Sequence, residues 1–170
     1  MTFSLRPLAL TLLLSLGLAL GGCGSSQKDD SMDTDAAVES MDQDEKNFEV
    51  NADSDSSTAG TLETVNFDFN SAKLTSSARS ALQNNANFLK ENSDVEVQIE
   101  GHCDERGGVQ YNLALGERRA KSVRDYLVAM GISSARLSTI SFGKERPLAF
   151  GHNEAAWSQN RRANFVITDM

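Results

Sequence analysis

Four stretches of this chain carry strand patterning and two carry helix patterning. Thr61–Phe69 (TLETVNFDF) alternates around Leu62, Val65, Phe67 and Phe69, the period of two expected of a half-buried strand. The hydroxyls of Thr75, Ser76 and Ser77 then offer N-caps. Ala78, Ala81, Leu82, Asn85, Phe88 and Leu89 follow at helical spacing until about Asn92. Asp94–Gly101 (DVEVQIEG) sets Val95, Val97 and Ile99 against Glu96, Gln98 and Glu100, a strand with one wet face. A second helix is predicted from about Gln110 to Met130, with Leu113, Ala120, Val123, Leu127 and Met130 as its buried stripe and Gly131 as its stop. Arg136–Phe142 (RLSTISF) is a third strand. A Gly- and Pro-containing loop over Gly143–Trp157 and a turn at Ser158–Arg161 lead into a last strand, Ala163–Thr168.

The resulting order, β-α-β-α-β-loop-β, needs crossover connections between neighbouring strands. It predicts an α/β (α+β) fold: a two-layer sandwich with a mixed four-stranded sheet and both long helices on one face.

Upstream of residue 61 the character changes. Arg6 precedes an apolar run from Leu8 to Leu20, too short for the roughly 20 residues of a bilayer-spanning helix and suited to a secretory signal over residues 1–22. Its ending, Leu20-Gly21-Gly22-Cys23, is similar to a bacterial lipobox, with Gly21 a less usual residue at its position. It implies a diacylglyceryl and N-acyl lipid on Cys23 that holds the chain to a membrane without crossing it. An ordinary cleaved signal with an incidental Cys is the alternative. Gly24 is not the Asp that retains many lipoproteins at the inner membrane, which directs the expectation to the outer membrane, on its periplasmic face.

Residues 24–60 hold eleven acidic residues against Lys28 and Lys46, with few large apolar side chains. Such a segment buries too little surface to offset ordering entropy, so residues 23–60 are expected to form a lipidated, disordered tether ahead of a domain at 61–170. Because that segment accounts for the acidity, the chain's net charge of −8 says nothing of what the domain binds. No basic stripe suggests nucleic acid. With Cys23 acylated, Cys103 has no intramolecular partner, and a disulfide scaffold is excluded. Cys103 is expected to be a small buried residue at a strand end.

Candidate chemistry gathers in residues 101–120, GHCDERGGVQYNLALGERRA. Asn112, Gly116 and Arg119 fall close to one line of the second helix. A Gly inside a helix costs about 0.5–1 kcal/mol relative to Ala, which a close approach by another backbone or by a ligand would offset. The stripe reads as a shallow trough. Asp104 and Arg106 sit at the C-terminal end of the preceding strand, where open α/β sheets tend to hold ligands. Gly107 and Gly108 let the loop fold back over the helix start. One carboxylate and one guanidinium across a gap suit an amino acid carrying ammonium and carboxylate on one carbon: Asp104 accepts from the ammonium, and Arg119 grips the carboxylate. Both are expected to be surface charges, so that replacing either by Ala leaves the fold intact. A direct Asp104–Arg119 salt bridge that only orders the loop is the alternative left open by the residues alone.

GHCDERGGVQYNLALGERRAKSV, together with FGKERPLAFGHNEAAWSQNRRANFVI, resembles the OmpA-like peptidoglycan-binding domains. The signature is Gly-x-x-Asp-x-x-Gly, then Asn-x-x-Leu, then Arg-Arg-Ala, and the resemblance runs from about Val65 to Ile167. With a lipobox upstream, the chain is similar to the lipoprotein members of that family. The resemblance implies a noncovalent clamp on the meso-diaminopimelate of peptidoglycan stem peptides. Asp104 would take its ammonium and Arg119 its carboxylate; Arg106, Phe69 and Asn70 would line the pocket, and Asn112 would brace the Asp104 loop. It also implies docking onto TolB and other components of the Tol-Pal system, with a role in envelope integrity and cell division. Two positions depart from the family pattern: Cys103 stands where Thr is frequent, and Asn70 where Asp is frequent.

The competing class is a hydrolase or metal-dependent enzyme using His102, Asp104 or Glu105. It lacks a placed nucleophile or metal. His102, Cys103, Asp104 and His152 have no zinc-ligand spacing, so no metal and no cofactor beyond the lipid is expected. Arg118 is expected to point to solvent, at least one of Arg161 and Arg162 to form a structural ion pair, and Trp157 to lie as a lid over the core edge.

Overall fold

The computed structural model describes residues 49–170. Within them run β1 (Val65–Asn66), α1 (Ser76–Glu91), β2 (Glu96–His102), α2 (Val109–Ala129), a 3-10 turn (Ser134–Arg136), β3 (Leu137–Gly143), α3 (Glu154–Asn160) and β4 (Arg162–Asp169). The signal segment, Cys23 and the tether up to residue 48 lie outside the described residues.

The sheet order is β1-β4-β2-β3. β2 pairs parallel with β3, while β4 runs antiparallel to both β1 and β2, so the sheet is mixed, as expected. Every second residue of the central strands points one way: Val97 and Ile99 from β2, Ala163, Phe165 and Ile167 from β4. These meet Leu82, Ala86 and Leu89 of α1 and Ala120, Val123 and Leu127 of α2 in one buried cluster. Two long helices on one face of the sheet follow from that shared parity.

Local chemistry sets the helix ends. Thr75 caps α1, its hydroxyl accepting from Ala78 N–H at 3.1 Å, which stabilises by about 1 kcal/mol. At the other end the Arg136 guanidinium donates to the carbonyls of Leu89, Asn92 and Val95 at 2.9, 2.6 and 2.8 Å. A cation thus collects carbonyls at the helix terminus and the following turn, of which Asn92 O also accepts from Val95 N–H.

Four expectations are corrected. First, only Val65–Asn66 of the nine-residue run 61–69 pairs as strand, although Leu62, Val65 and Phe67 are buried as the alternation implied; Phe69 is exposed. Second, Leu115 rather than Leu113 is buried on α2. Third, the stretch expected to be loop and turn holds α3, capped by Asn153, whose side chain accepts from Ala156 N–H at 3.0 Å. Fourth, the domain begins before residue 61. Asn51 N–H donates to Ile167 O and Ser54 N–H to Phe165 O, so residues 51–54 extend the sheet along the outer edge of β4. Asp55 pairs with Arg162 Nε at 2.7 Å, and Ala59 is fully buried. Acidic composition hid this strap, which is held by backbone pairing, the Asp55–Arg162 ion pair, bonds from Ser54 Oγ and Asp55 N–H to Asn164 Oδ1, and burial of Ala52 and Ala59 in the core.

Gly116 earns its place by contact with β2. A Cβ at 116 would lie 2.3 Å from Ser141 Oγ and 2.7 Å from Gly101 O, and one at Gly101 would lie 1.9 Å from Gly116 O. The helix therefore touches the strand backbone to backbone, and the trough expected there is filled by the sheet. Gly116→Ala should destabilise the domain by about 2–3 kcal/mol, since overpacking against backbone outweighs the roughly 1 kcal/mol gained in helix propensity. A urea midpoint unchanged from wild type would contradict this.

Candidate functional site

β2 ends at His102, and the chain crosses to α2 through Cys103–Gly108. The β1–α1 loop, Phe67–Thr75, arrives beside it. Between them lies a cavity of about 160 Å³ lined by Phe69, Asn70, Cys103, Asp104, Arg106, Gly107, Tyr111, Asn112, Leu115 and Arg119. All six side chains expected in the site are therefore brought together at the C-terminal end of the strand, the position anticipated for an open α/β sheet.

Their exposure differs from expectation. Arg119 is fully buried and Asp104 is 4% exposed; neither is a surface charge. Arg119 reaches off α2 into three backbone carbonyls. Nε donates to Ser71 O at 2.8 Å, Nη1 to His102 O at 2.7 Å and Cys103 Sγ at 3.5 Å, and Nη2 to Asp68 O at 3.0 Å. Four of its five N–H groups are thus committed, and no pair remains for a bidentate grip. Burial pushes its pKa down, against an upward pull that includes the nearby Asp104 charge.

Asp104 does not bridge to Arg119. Its partners are Arg106, with Nε at 3.1 Å and Nη2 at 2.7 Å, and Arg161 Nη1 at 3.4 Å. The Arg106 backbone N–H adds a bond at 3.1 Å. Burial raises the Asp104 pKa, but the Arg106 hydrogen bonds and charge, with the Arg161 bond, outweigh it and leave the carboxyl below the usual Asp range. Arg106 is itself sandwiched, its guanidinium carbon 4.0 Å from the ring centres of both Phe69 and Trp157. Asn112 braces the loop as the resemblance implied, donating from Nδ2 to Arg106 O at 2.9 Å.

Asn70 adopts φ +53°, a left-handed conformation that Asn tolerates better than most residues, and its Oδ1 accepts from Tyr111 OH. Cys103 is buried as expected, and burial pushes its thiol pKa up. Arg118 is exposed, while Arg161 and Arg162 both form ion pairs, to Glu154 and Asp104 and to Asp55.

The competing acid–base set is not assembled. His102 is buried, stacked on Phe142 at 5.6 Å with Nε2 3.4 Å from Glu100, and it does not line the cavity. Glu105 turns to His152 Nδ1 at 2.7 Å and Trp157 Nε1 at 2.8 Å. Among the described residues, no group of three or more His, Cys, Asp or Glu is placed to hold a metal ion.

Sequence reasoning missed Tyr111 and Leu115 as lining residues, and it missed the bracing roles of Trp157 and Arg161. The last two lie more than fifty positions from Asp104, and only the return of α3 and β4 brings them there. Trp157 covers Arg106 rather than the core edge.

A mixed sheet in the order β1-β4-β2-β3, with the loop after β2 folded over the start of α2, is the architecture of an OmpA-type domain. The OmpA family profile matches residues 66–161, and the chain belongs to the OmpA family. It is 37% identical over 167 residues to a protein from Brucella melitensis named peptidoglycan-associated lipoprotein, covering 95% of this chain and 91% of that one. A protein of the same name from Pseudomonas aeruginosa is 50% identical over 109 residues, the match spanning 64% of each chain. The crystal structure of the peptidoglycan-associated lipoprotein from Burkholderia pseudomallei, 44% identical, superposes with a TM-score of 0.60 over 62% of this chain and 89% of that one.

The depressed Asp104 pKa fixes a pH dependence. The carboxylate is favoured by folding, so its contribution is complete above the ordinary Asp value of about 3.9 and is lost as pH falls through the lower folded value. The urea midpoint of wild type should therefore drop more steeply below about pH 4 than that of Asp104→Asn. Parallel acid limbs would show that Asp104 is not linked to folding in this way.

Proposed function

We propose that this chain is a non-enzymatic, lipid-anchored binding module that joins the outer membrane to the cell wall. In this reading Cys23 carries the lipid, residues 24–48 form the tether, and the cavity beside Asp104 takes the diaminopimelate of peptidoglycan stem peptides. Docking onto TolB and other Tol-Pal components, and a part in cell division, belong to the same reading and rest on the family resemblance.

The observation that carries it is the gathering of Asp104, Arg106, Asn112 and Arg119 with Phe69 and Asn70 around one small cavity. Its walls offer a carboxylate for an ammonium, guanidinium and amide donors for a carboxylate, and an exposed aromatic ring for the aliphatic stem between them. The relatives' shared name supports the wall as the ligand's source. The absence of His102 and Glu105 from the cavity lining favours retention over turnover.

A ligand ammonium competes with Arg106 for Asp104, so the charge of Asp104 is needed while its shape is not. Asp104→Asn, which keeps the shape, should lower co-sedimentation with purified sacculi about threefold, because an ammonium that exchanges with Arg106 keeps only part of the roughly 1.5–3 kcal/mol of a charge-assisted bond. Binding should also weaken as salt is raised, and no muropeptides should be released. Wild-type retention by the variant, or released fragments, would sink the proposal. Arg119→Ala is the poorer probe, because it unpairs three carbonyls and should unfold the loop it holds.

A further inference from the structure

Three ionised side chains line the cavity: Asp104, Arg106 and Arg119. One negative and two positive charges give the lining a formal charge of +1. The charged groups just behind it do not reverse that sign. Arg161 and Glu154 pair at 2.5 Å, Glu105 pairs with His152 at 2.7 Å, and Lys144 Nζ lies on the loop's own carbonyls, 2.8 Å from Gly107 O. An Asp at position 70 would bring the lining to zero. Asn70 removes that charge at the rim.

The hydrogen bonds point the same way. Asp104 already receives Arg106 through two bonds and Arg161 through one, so a ligand ammonium must displace or share an existing partner. A ligand carboxylate competes with Asp104 at Arg106 but finds open donors elsewhere. Asn70 presents Oδ1 to Tyr111 OH, which leaves Nδ2 making no hydrogen bond among the described residues. One Nη2–H of Arg119 is also uncommitted.

We propose that Asn70 is a specificity-determining residue. Its neutral amide keeps the cavity net positive and supplies a donor, so the site selects a diamino acid whose side-chain carboxylate is free over one in which that carboxylate is amidated. This rests on the wall-peptide reading and adds a chemical form to it: amidating the wall would release the anchor. The carboxylate of the ligand dominates recognition, and the ammonium is secondary.

The test is calorimetric titration of the full chain with two disaccharide tetrapeptides that differ only in whether the meso-diaminopimelate side-chain carboxylate is free or a carboxamide. Wild type should prefer the free acid by roughly tenfold, about 1.4 kcal/mol. Asn70→Asp should reduce that preference to about threefold or less, mainly by weakening the free acid. The variant suits the position: Asp also tolerates a left-handed backbone, and its carboxylate still accepts from Tyr111. Equal wild-type affinities, or an undiminished preference in Asn70→Asp, would overturn the inference while leaving the wall-peptide reading standing. Failure of wild type to bind either peptide would overturn both. As a measurement independent of the variant, the wild-type gap should narrow from about 0.05 to about 0.5 M salt; a gap indifferent to salt counts against the inference.

Discussion

A guanidinium with no solvent exposure must find partners inside the protein or it destabilises the fold by several kcal/mol. Arg119 meets that demand with the backbone. Its bonds to Asp68, Ser71 and His102 carbonyls tie the β1–α1 loop to the last residue of β2, using a helix as the post. Three elements far apart in the chain thus share one charge. The cavity exists because that charge holds its two walls at a fixed separation, with Asn70 and Phe69 on one side and Asp104 and Arg106 on the other. The backbone contact between Gly101 and Gly116 sets how deeply Arg119 sits, since any Cβ there would lift the helix and withdraw the guanidinium.

Against this fixed frame, Arg106 supplies the adjustable part. It lies on a loop, is partly exposed, and is held by two aromatic faces and one carboxylate. It neutralises Asp104, so the carboxylate is not buried alone. In the proposed function a ligand ammonium replaces one cation by another at the same carboxylate, an exchange with a small net gain. In that reading the balance of binding then shifts to groups with unspent hydrogen-bonding capacity, the uncommitted Asn70 amide among them.

Periodicity made the sheet, both long helices and the buried parity of Val97, Ile99, Phe165 and Ile167 legible, because burial on one face writes directly into spacing. The spacing Asp104, Asn112, Arg119 also picked out residues that the fold gathers around one cavity. What it could not convey was which groups are partners. Asp104 and Arg119 looked like an opposed couple because nothing local distinguishes an arginine that faces solvent from one that faces carbonyls. The true partners of Asp104 include Arg161, reached only when β4 inserts between β1 and β2. Position 116 shows the same limit: a helical Gly announces a close approach, but only the fold decides whether strand or ligand makes it. The strap at residues 51–55 was illegible for another reason. It is held by pairing with β4 and by polar bonds of Ser54 and Asp55, with only the small Ala52 and Ala59 in the core, which leaves no apolar rhythm to read.

That strap also gives the domain a direction. Asn51 pairs with Ile167 at the end of β4 that lies across from the start of β2, Glu96 opposite Asp169. The cavity begins past His102, at the other end of the same strand, roughly 20 Å away at about 3.3 Å per residue. The chain thus enters the domain at one end of the sheet and presents its cavity at the other. In the proposed function this polarity matters: a lipid at Cys23 pulls on the strap end while a wall peptide holds the cavity end. The load between them runs along β4 and β2, across hydrogen bonds oriented perpendicular to the strands. Such bonds must be sheared together rather than opened one at a time, so the arrangement that aims the cavity away from the anchor also sets the sheet to resist tension along its stiff axis.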